Sequence, residues 1–310
     1  MFNRARAFSP AGISSFFEIC DMTSDGKLIL EPELVGARGG GFSPCKGVLT
    51  EVVVSEAEES RIQIYINKKF CSEAKTTKSV VEMLTGKVTE SYDVCVMHKV
   101  EVPVAAGFGS SAAGALGTAL ALNKILKLNL TYNQLGKVAH VAEVNCKTGF
   151  GTVGPLLFGG CGLTLEPGAP GIARLDRIPV SSDHRLVMGT FGSYSTKELL
   201  ASGAKRGLIN TWGRKTLKRI LVDSSLENFM NSCKKFAFGT GFATERVKKL
   251  MDLAEKAGAI GVAQNMLGEA VHALVKVDSV DAVYAAFKKL LPEEKIMISA
   301  VASHGAHIIG

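Results

Sequence analysis

The sequence predicts an α+β protein built in two halves, and three observations carry that prediction. A β-like segment, Tyr92 to Val102, feeds a glycine-rich turn and then a helix of small and apolar residues with no charge before Lys124. Glu166-Pro-Gly-Ala-Pro-Gly171 concentrates proline and glycine where one half can end and the next begin. Beyond it, Val271 to Val277, Val280 to Leu290 and Ile296 to Ala302 read strand, helix, strand, as in a ferredoxin-like half. The expected halves are residues 1–170 and 171–310.

In chain order, Val48 to Val54 and Arg61 to Ile66 alternate or run apolar, as strands do, across a polar turn at Glu56 to Ser60. Val80 to Leu84 fits a short helix. The helix behind the glycine turn covers Ser111 to Leu126 and should lie buried. Thr131-x-x-Gln134 is a capping box that opens a helix to Cys146. Its apolar stripe holds Leu135, Val138, Ala139, Ala142 and Cys146, with Glu143 at the edge. Phe158 to Leu165 returns as a strand. In the second half Arg185 to Phe191 is strand-like, and Ser195 would cap a helix starting at Thr196. Further helices are expected near 198–208, 225–236 and 241–257. No internal repeat or long linker interrupts the chain.

Composition narrows the function classes. The 310 residues are 46% hydrophobic and 21% charged, with a mean hydropathy of +0.20, which fits a soluble protein with a large core. No apolar run reaches the roughly 18 residues that span a bilayer, and MFNRARAFSP lacks the apolar stretch of a secretory signal. Seven scattered cysteines without a C-x-x-C pair fit reduced thiols in the cytoplasm. The net charge of +7 fits in part a field that draws in anionic substrates. Lys-rich stretches such as Lys234-Lys235 and Lys248-Lys249 read as ordinary solvated surface, and no dense basic block interleaves with aromatics, which are 7% of the chain. Neither nucleic acid nor a membrane is expected as a partner, and the chain should act alone or as a homodimer. His304 and His307 form an H-x-x-H without acidic or cysteine neighbours and read as ordinary polar histidines.

The chemistry points to phosphate. In Val102 to Asn123 the turn Gly107-Phe108-Gly109 precedes Ser110 and Ser111 at a helix start. Such a turn exposes several backbone N–H groups together, at the positive end of the helix dipole. It is not a P-loop, because no GK[ST] follows, and it lacks the acidic residue of a dinucleotide fingerprint.

Pro103 through Ala113 resembles the phosphate loop of the GHMP kinase superfamily, approximately P-x-x-x-G-L/F-G-S-S-A-A. AFSPAGISSFFEI (Ala7 to Ile19), GARGGGF (Gly36 to Phe42) and AEVNCKTGFGTVGPLLFGGCGLTLEPGAPG (Ala142 to Gly171) extend the resemblance toward its archaeal-type pantoate kinase branch, as do SYSTKELL (Ser193 to Leu200) and QNMLGEAVHAL (Gln264 to Leu274). The resemblance implies a two-lobed GHMP kinase fold, with a ribosomal S5-like N-terminal half and a ferredoxin-like C-terminal half. It implies ATP and Mg²⁺, and phosphorylation of pantoate to 4-phosphopantoate in coenzyme A synthesis. Mevalonate, homoserine or a sugar as acceptor, or a nucleotide-binding relative without catalysis, stay open as alternatives.

The same resemblance assigns residues. Pro103, Ala106, Gly107, Phe108, Gly109, Ser110, Ser111 and Ala112 would cradle the nucleotide, and the turn Asn265 to Gly268 would line its cleft. Ser111 and Glu143 would be the Mg²⁺-associated pair, oxygen donors that suit a hard cation. Ser14, Ser15, Arg38 and Gly149 would hold the acceptor. Arg38, among glycines, offers a planar fork to a carboxylate, although pairing with a surface carboxylate is an equal alternative. Thr152 stands where many relatives carry the Asp of T-G-L-G-D, and Gly12 stands where the related segment usually has His. Thr152 can orient a hydroxyl, but it is far too weakly basic to deprotonate one.

Overall fold

The computed structural model describes residues 3–193 and 203–310. The expected cap at Ser195 and the helix start at Thr196 lie outside the described residues. The first half is built on a six-stranded sheet. Its strands are β1 (Asn3–Pro10), β4 (Gly47–Glu56), β5 (Arg61–Ile66), β6 (Lys69–Phe70), β7 (Tyr92–Val100) and β14 (His307–Ile309), in the order β14-β1-β4-β7-β5-β6. Three helices cover it: α1 (Lys75–Thr85), α2 (Ser110–Leu126) and α3 (Tyr132–Cys146). α2 is the central one, buried from Ala112 to Leu122. Its small residues permit that position. A Cβ on Gly117 would stand 2.6 Å from Thr50 Oγ1 of β4, so the helix rests almost on the strand. The capping box of α3 forms with both bonds, Thr131 Oγ1 accepting from the Gln134 N–H and Gln134 Oε1 accepting from the Thr131 N–H.

A second sheet runs β2 (Ile13–Cys20), β3 (Gly36–Phe42), β8 (Cys161–Glu166), β9 (Arg174–Ile178). Three consecutive glycines, Gly39 to Gly41, sit in the middle of β3. A Cβ on Gly41 would fall 1.7 Å from the Ile13 carbonyl oxygen, and one on Gly39 2.5 Å from that of Phe16. The strand exists because its bare Cα atoms let β2 approach. Between β8 and the end of α3 lies a single helical turn, α4 (Val153–Leu156).

The second half holds a four-stranded antiparallel sheet, β11 (Gly261–Gln264), β12 (Gly268–Lys276), β10 (His184–Ser193) and β13 (Ile296–Ala300) in that order. Its described helices are α5 (Gly203–Val222), α6 (Leu226–Gly239), α7 (Glu245–Lys256) and α8 (Val280–Lys288). Phe16 and Phe17 of β2 and Phe42 of β3 pack against Phe229 and Phe236 of α6 and against Phe242. The second sheet therefore shares its core with the second half. Two strands also cross the expected boundary at 170, since β9 pairs with β8 and β14 returns to pair with β1. All seven cysteines are free. No helix among the described residues is long and apolar enough to cross a membrane.

Candidate active site

The chain leaves β7 into a turn that uses three left-handed residues, Ala105 (φ +59°), Gly107 (φ +80°) and Gly109 (φ +59°). Gly109 is the N-cap of α2, no side chain caps that helix, and its first turn holds no acidic residue. The N-terminal N–H groups and the dipole of a 17-residue helix thus face outward from a buried element. Phe108 and Ala106 point into the core and anchor the turn. The Phe108 carbonyl accepts from the Gly12 N–H at 3.0 Å.

Three other segments close on this loop. A Cβ on Gly109 would lie 2.8 Å from both the Gly12 carbonyl oxygen and Thr152 Cγ2. A Cβ on Gly107 would lie 3.1 Å from the Asn265 carbonyl oxygen and from the Gly268 nitrogen, and one on Gly268 would lie 2.2 Å from the Ala106 carbonyl oxygen. The loop is therefore wedged between the β1–β2 turn, Thr152 ahead of α4, and the Asn265–Gly268 turn. At Gly107 and Gly109 the positive φ and the close neighbours together require glycine.

Beside the helix start lies a chain of hydroxyls ending on a buried carboxylate. Ser111 Oγ donates to Thr76 Oγ1 at 3.3 Å, Thr76 and Thr148 share a bond of 2.8 Å, and Thr148 Oγ1 donates to Glu143 Oε1 at 3.0 Å. Glu143 is 2% exposed and makes no ion pair among the described residues. Burial pushes its carboxyl above the ordinary glutamate range, and hydrogen bonds from Ser111 and Thr148 pull only partly the other way. A Cβ on Gly149 would stand 2.6 Å from Glu143 Oε2, so the bare Cα leaves that oxygen room. Thr76 escaped the sequence reading: nothing in its local pattern separates it from other residues that open a helix.

A cleft opens between the second sheet and the Gly151-Thr152 loop, bordered by Gly12, Ser14, Arg38, Gly39, Thr152 and Thr164. Gly151 packs on Ala37, the neighbour of Arg38 in β3. Arg38 itself is closed on a protein carboxylate. Its Nε stands 3.0 Å from Glu18 Oε2, and its Nη2 donates to Oε1 at 3.2 Å. Arg214 of α5 donates to the same Oε1 at 2.8 Å. Glu18 is 3% exposed, so this pair is buried on the acid side. Ser15 departs from expectation more clearly. It is fully buried, and its Oγ lies 2.9 Å from His272 Nε2 rather than in the cleft. Successive side chains of a strand point to opposite faces, so Ser14 borders the cleft while Ser15 turns into the core. The structure thus brings together Gly107, Gly109, Ser111, Glu143, Gly149, Thr152, Ser14 and the border of Arg38, and it turns Ser15 inward.

Known proteins share both the sequence and the fold of this chain. Residues 75–160 match the model of the GHMP kinases N-terminal domain. The pantoate kinase of Thermococcus kodakarensis is 32% identical over 277 residues, 87% of this chain and 87% of the relative. That of Methanocaldococcus jannaschii is 28% identical over 274 residues, 88% of this chain and 94% of the relative. A solved structure described as a phosphotransferase related to the CoA biosynthesis pathway superposes with a TM-score of 0.86 at 27% identity, covering 99% of both chains. Homoserine kinase from Cytophaga hutchinsonii, with a TM-score of 0.71 at 17% identity, shares the fold. Shared sequence along most of the chain, the match to the GHMP kinases N-terminal domain and a matching fold place this protein in the pantoate kinase family of the GHMP kinases.

Proposed function

We propose that this protein transfers the γ-phosphoryl group of ATP to the primary hydroxyl of pantoate, giving 4-phosphopantoate for coenzyme A synthesis. One observation carries the reading: the uncapped start of α2 meets the cleft beside Thr152 at Gly109 and the buried Glu143 through Ser111. The similarity to pantoate kinases over most of the chain supplies the acceptor.

Each group has a part in such a reaction. The loop N–H groups at Ser110 to Ala112 hold the phosphates, and the absence of side chains at Gly107 and Gly109 lets the phosphates approach. Ser111 and Glu143 are the residues that would hold Mg²⁺. The fit is good, because Glu143 is a buried carboxylate with a hydroxyl partner and, among the described residues, no cationic one, a donor set that suits a hard cation. That ion, when bound, neutralises charge on the β- and γ-phosphate oxygens. Ser14, Gly149 and Arg38 line the acceptor's place, with Thr152 orienting its hydroxyl. The acceptor oxygen forms the new bond to phosphorus as the bond to the β-phosphate oxygen breaks, and the hydroxyl proton passes to an oxygen of the transferred phosphoryl group or to solvent, since Thr152 cannot take it. A loose transition state asks little of a base, so positioning and charge neutralisation are the terms this site supplies.

The test is ADP release by the purified protein with Mg-ATP and a panel of pantoate, mevalonate, homoserine and sugars. Stimulation by pantoate alone is expected. Stimulation by another acceptor and not by pantoate would overturn the substrate. Tight ATP binding with no acceptor-dependent release would favour the reading without catalysis.

A further inference from the structure

A buried polar chain joins the two halves behind the site. Ser15 belongs to β2, while Asn265 and His272 flank the turn that presses on the phosphate loop. Ser15 Oγ lies 2.9 Å from His272 Nε2, and His272 Nδ1 lies 2.8 Å from Asn265 Oδ1. All three residues are 0% exposed. The amide oxygen of Asn265 can only accept, so Nδ1 carries the hydrogen, Nε2 is bare, and the Ser15 hydroxyl donates to it. Burial holds the imidazole neutral, with its pKa lowered to about 3. The ring of Phe42 stacks edge-on at 5.9 Å, and the Cys233 thiol neighbours Ser15. No solvent and no substrate reaches a hydroxyl so enclosed, so Ser15 has no nucleophilic role despite its serine–histidine–asparagine order.

The ends of the chain meet the two substrates' sites. On one side Ser14, the neighbour of Ser15, borders the acceptor cleft. On the other side the Asn265 carbonyl faces Gly107 of the phosphate loop. A main-chain bond runs alongside, from the Met266 N–H to the Ser14 carbonyl at 2.7 Å. β2 and the Asn265–Gly268 turn are thus tied twice, once through backbone and once through His272. The Ser15–His272 bond crosses between β2 and the second half, and the His272–Asn265 bond ties that ring to the turn. Breaking either leaves an unsatisfied group in the core, so together they fix β2 relative to the turn.

We propose that His272, with Ser15 and Asn265, is a positioning relay that couples acceptor binding to nucleotide binding. The inference rests on the assignment of ATP and acceptor to the two sides of Gly109. Binding at either side orders one end of the relay and thereby favours the bound geometry at the other.

The test measures the dissociation constant of a non-hydrolysable ATP analogue, by calorimetry, with and without saturating pantoate. In the wild type the ratio should be at least about fivefold. Ser15→Ala removes the donor with little change of volume, and His272→Gln keeps one arm of the relay. Ser15→Ala should bring the ratio to near one and lower turnover about tenfold, with a smaller change in either KM. His272→Gln should fall between. Thermal melts report folding separately, and a role in stability alone would lower Tm while keeping the ratio. A wild-type ratio of one, or a ratio that both variants leave unchanged, overturns the relay. If another acceptor replaces pantoate in the turnover assay, the substrate assignment fails alone, and the ratio is measured with that acceptor.

Discussion

Replacing Glu143 by Gln should separate function from stability in one substitution. The carboxylate is 2% exposed, its neighbours are hydroxyls, and no cation neutralises it among the described residues. Gln keeps the shape and still accepts from Thr148, but removes the charge that a metal ion would meet. A loss of on the order of a hundredfold in turnover is expected, equivalent to about 2.7 kcal/mol of transition-state stabilisation. The ligand-free fold should respond in the opposite sense. Burial raises the folded-state pKa of this carboxyl above its unfolded value. Its contribution to stability is then fully present below the ordinary glutamate range and is lost as pH rises through the folded pKa. Neutralisation should recover about 1–3 kcal/mol at pH 8, the scale of a desolvation penalty relieved, and nothing at pH 4. Melting curves of the two ligand-free proteins should therefore coincide in acid and diverge in base, with the variant higher by several degrees. Turnover is read with saturating ATP, acceptor and Mg²⁺. Unchanged turnover, or a variant that melts below the wild type at pH 8, would refute the assignment and return Glu143 to a structural role.

Other perturbations follow from the same geometry. Gly109→Val places a side chain 2.8 Å from the Gly12 carbonyl at a φ of +59°, so Mg-ATP binding should vanish in calorimetry; normal binding would overturn the loop assignment. Arg38→Lys loses the planar fork, and the KM for pantoate should rise several-fold more than that for ATP. A fall in Tm with both constants unchanged would instead assign that guanidinium wholly to Glu18. Thr152→Ala should cost less than about tenfold in turnover, since a neutral hydroxyl supplies one hydrogen bond. A thousandfold loss with ATP binding intact would show that Thr152 does more than orient. Finally, burial lowers the pKa of His98 to about 4 and that of His272 to about 3. Their neutral forms favour the fold, so stability present above about pH 6.5 should fall on acidification by about 1.4 kcal/mol per pH unit for each. A Tm that does not change from pH 6.5 to 5 would contradict this.

Much of this architecture is legible in the sequence because local signals agree with the tertiary result. The capping box at Thr131 forms with both its bonds, the strand Arg61–Ile66 appears at its expected limits, and the uncharged helix is buried as its composition requires. What stays hidden depends on distant neighbours. β3 holds three glycines in a row, a composition that local propensity assigns to a turn. It becomes a strand only because β2 approaches too closely for any side chain. β14 has three residues and gains its meaning from β1, nearly 300 positions earlier. The same limit applies in the site. The glycines and Ser111 announce a phosphate loop, and Glu143 announces itself as a carboxylate on an apolar edge. Thr76, the link between them, belongs to a helix start with no unusual pattern, and which of two adjacent serines faces inward is set by the strand's pairing, which their residue type does not specify.

The two positions at which this chain departs from the family pattern, Gly12 and Thr152, are neighbours in space. A Cβ on Gly12 would stand 2.5 Å from Thr152 Cγ2 and 3.1 Å from Leu156 Cδ2. With any larger residue at position 12, the threonine methyl would have to move, and α4 with it. The same methyl also reaches the space beside Gly109, at 2.8 Å from where its Cβ would be. One methyl group therefore fills the corner shared by the β1–β2 turn, the phosphate loop and α4. Packed on that side, Thr152 has little rotational freedom about its Cα–Cβ bond, as a β-branched residue wedged on one face must. On the proposed function, a carboxylate at this corner would sit beside a loop that gathers anionic phosphate, and it would need a cation to offset it. The absence of a side chain at Gly12 and the neutral side chain at Thr152 are thus two parts of one local solution. On the proposed function, the threonine at this corner would position the acceptor by packing where a carboxylate would act by charge.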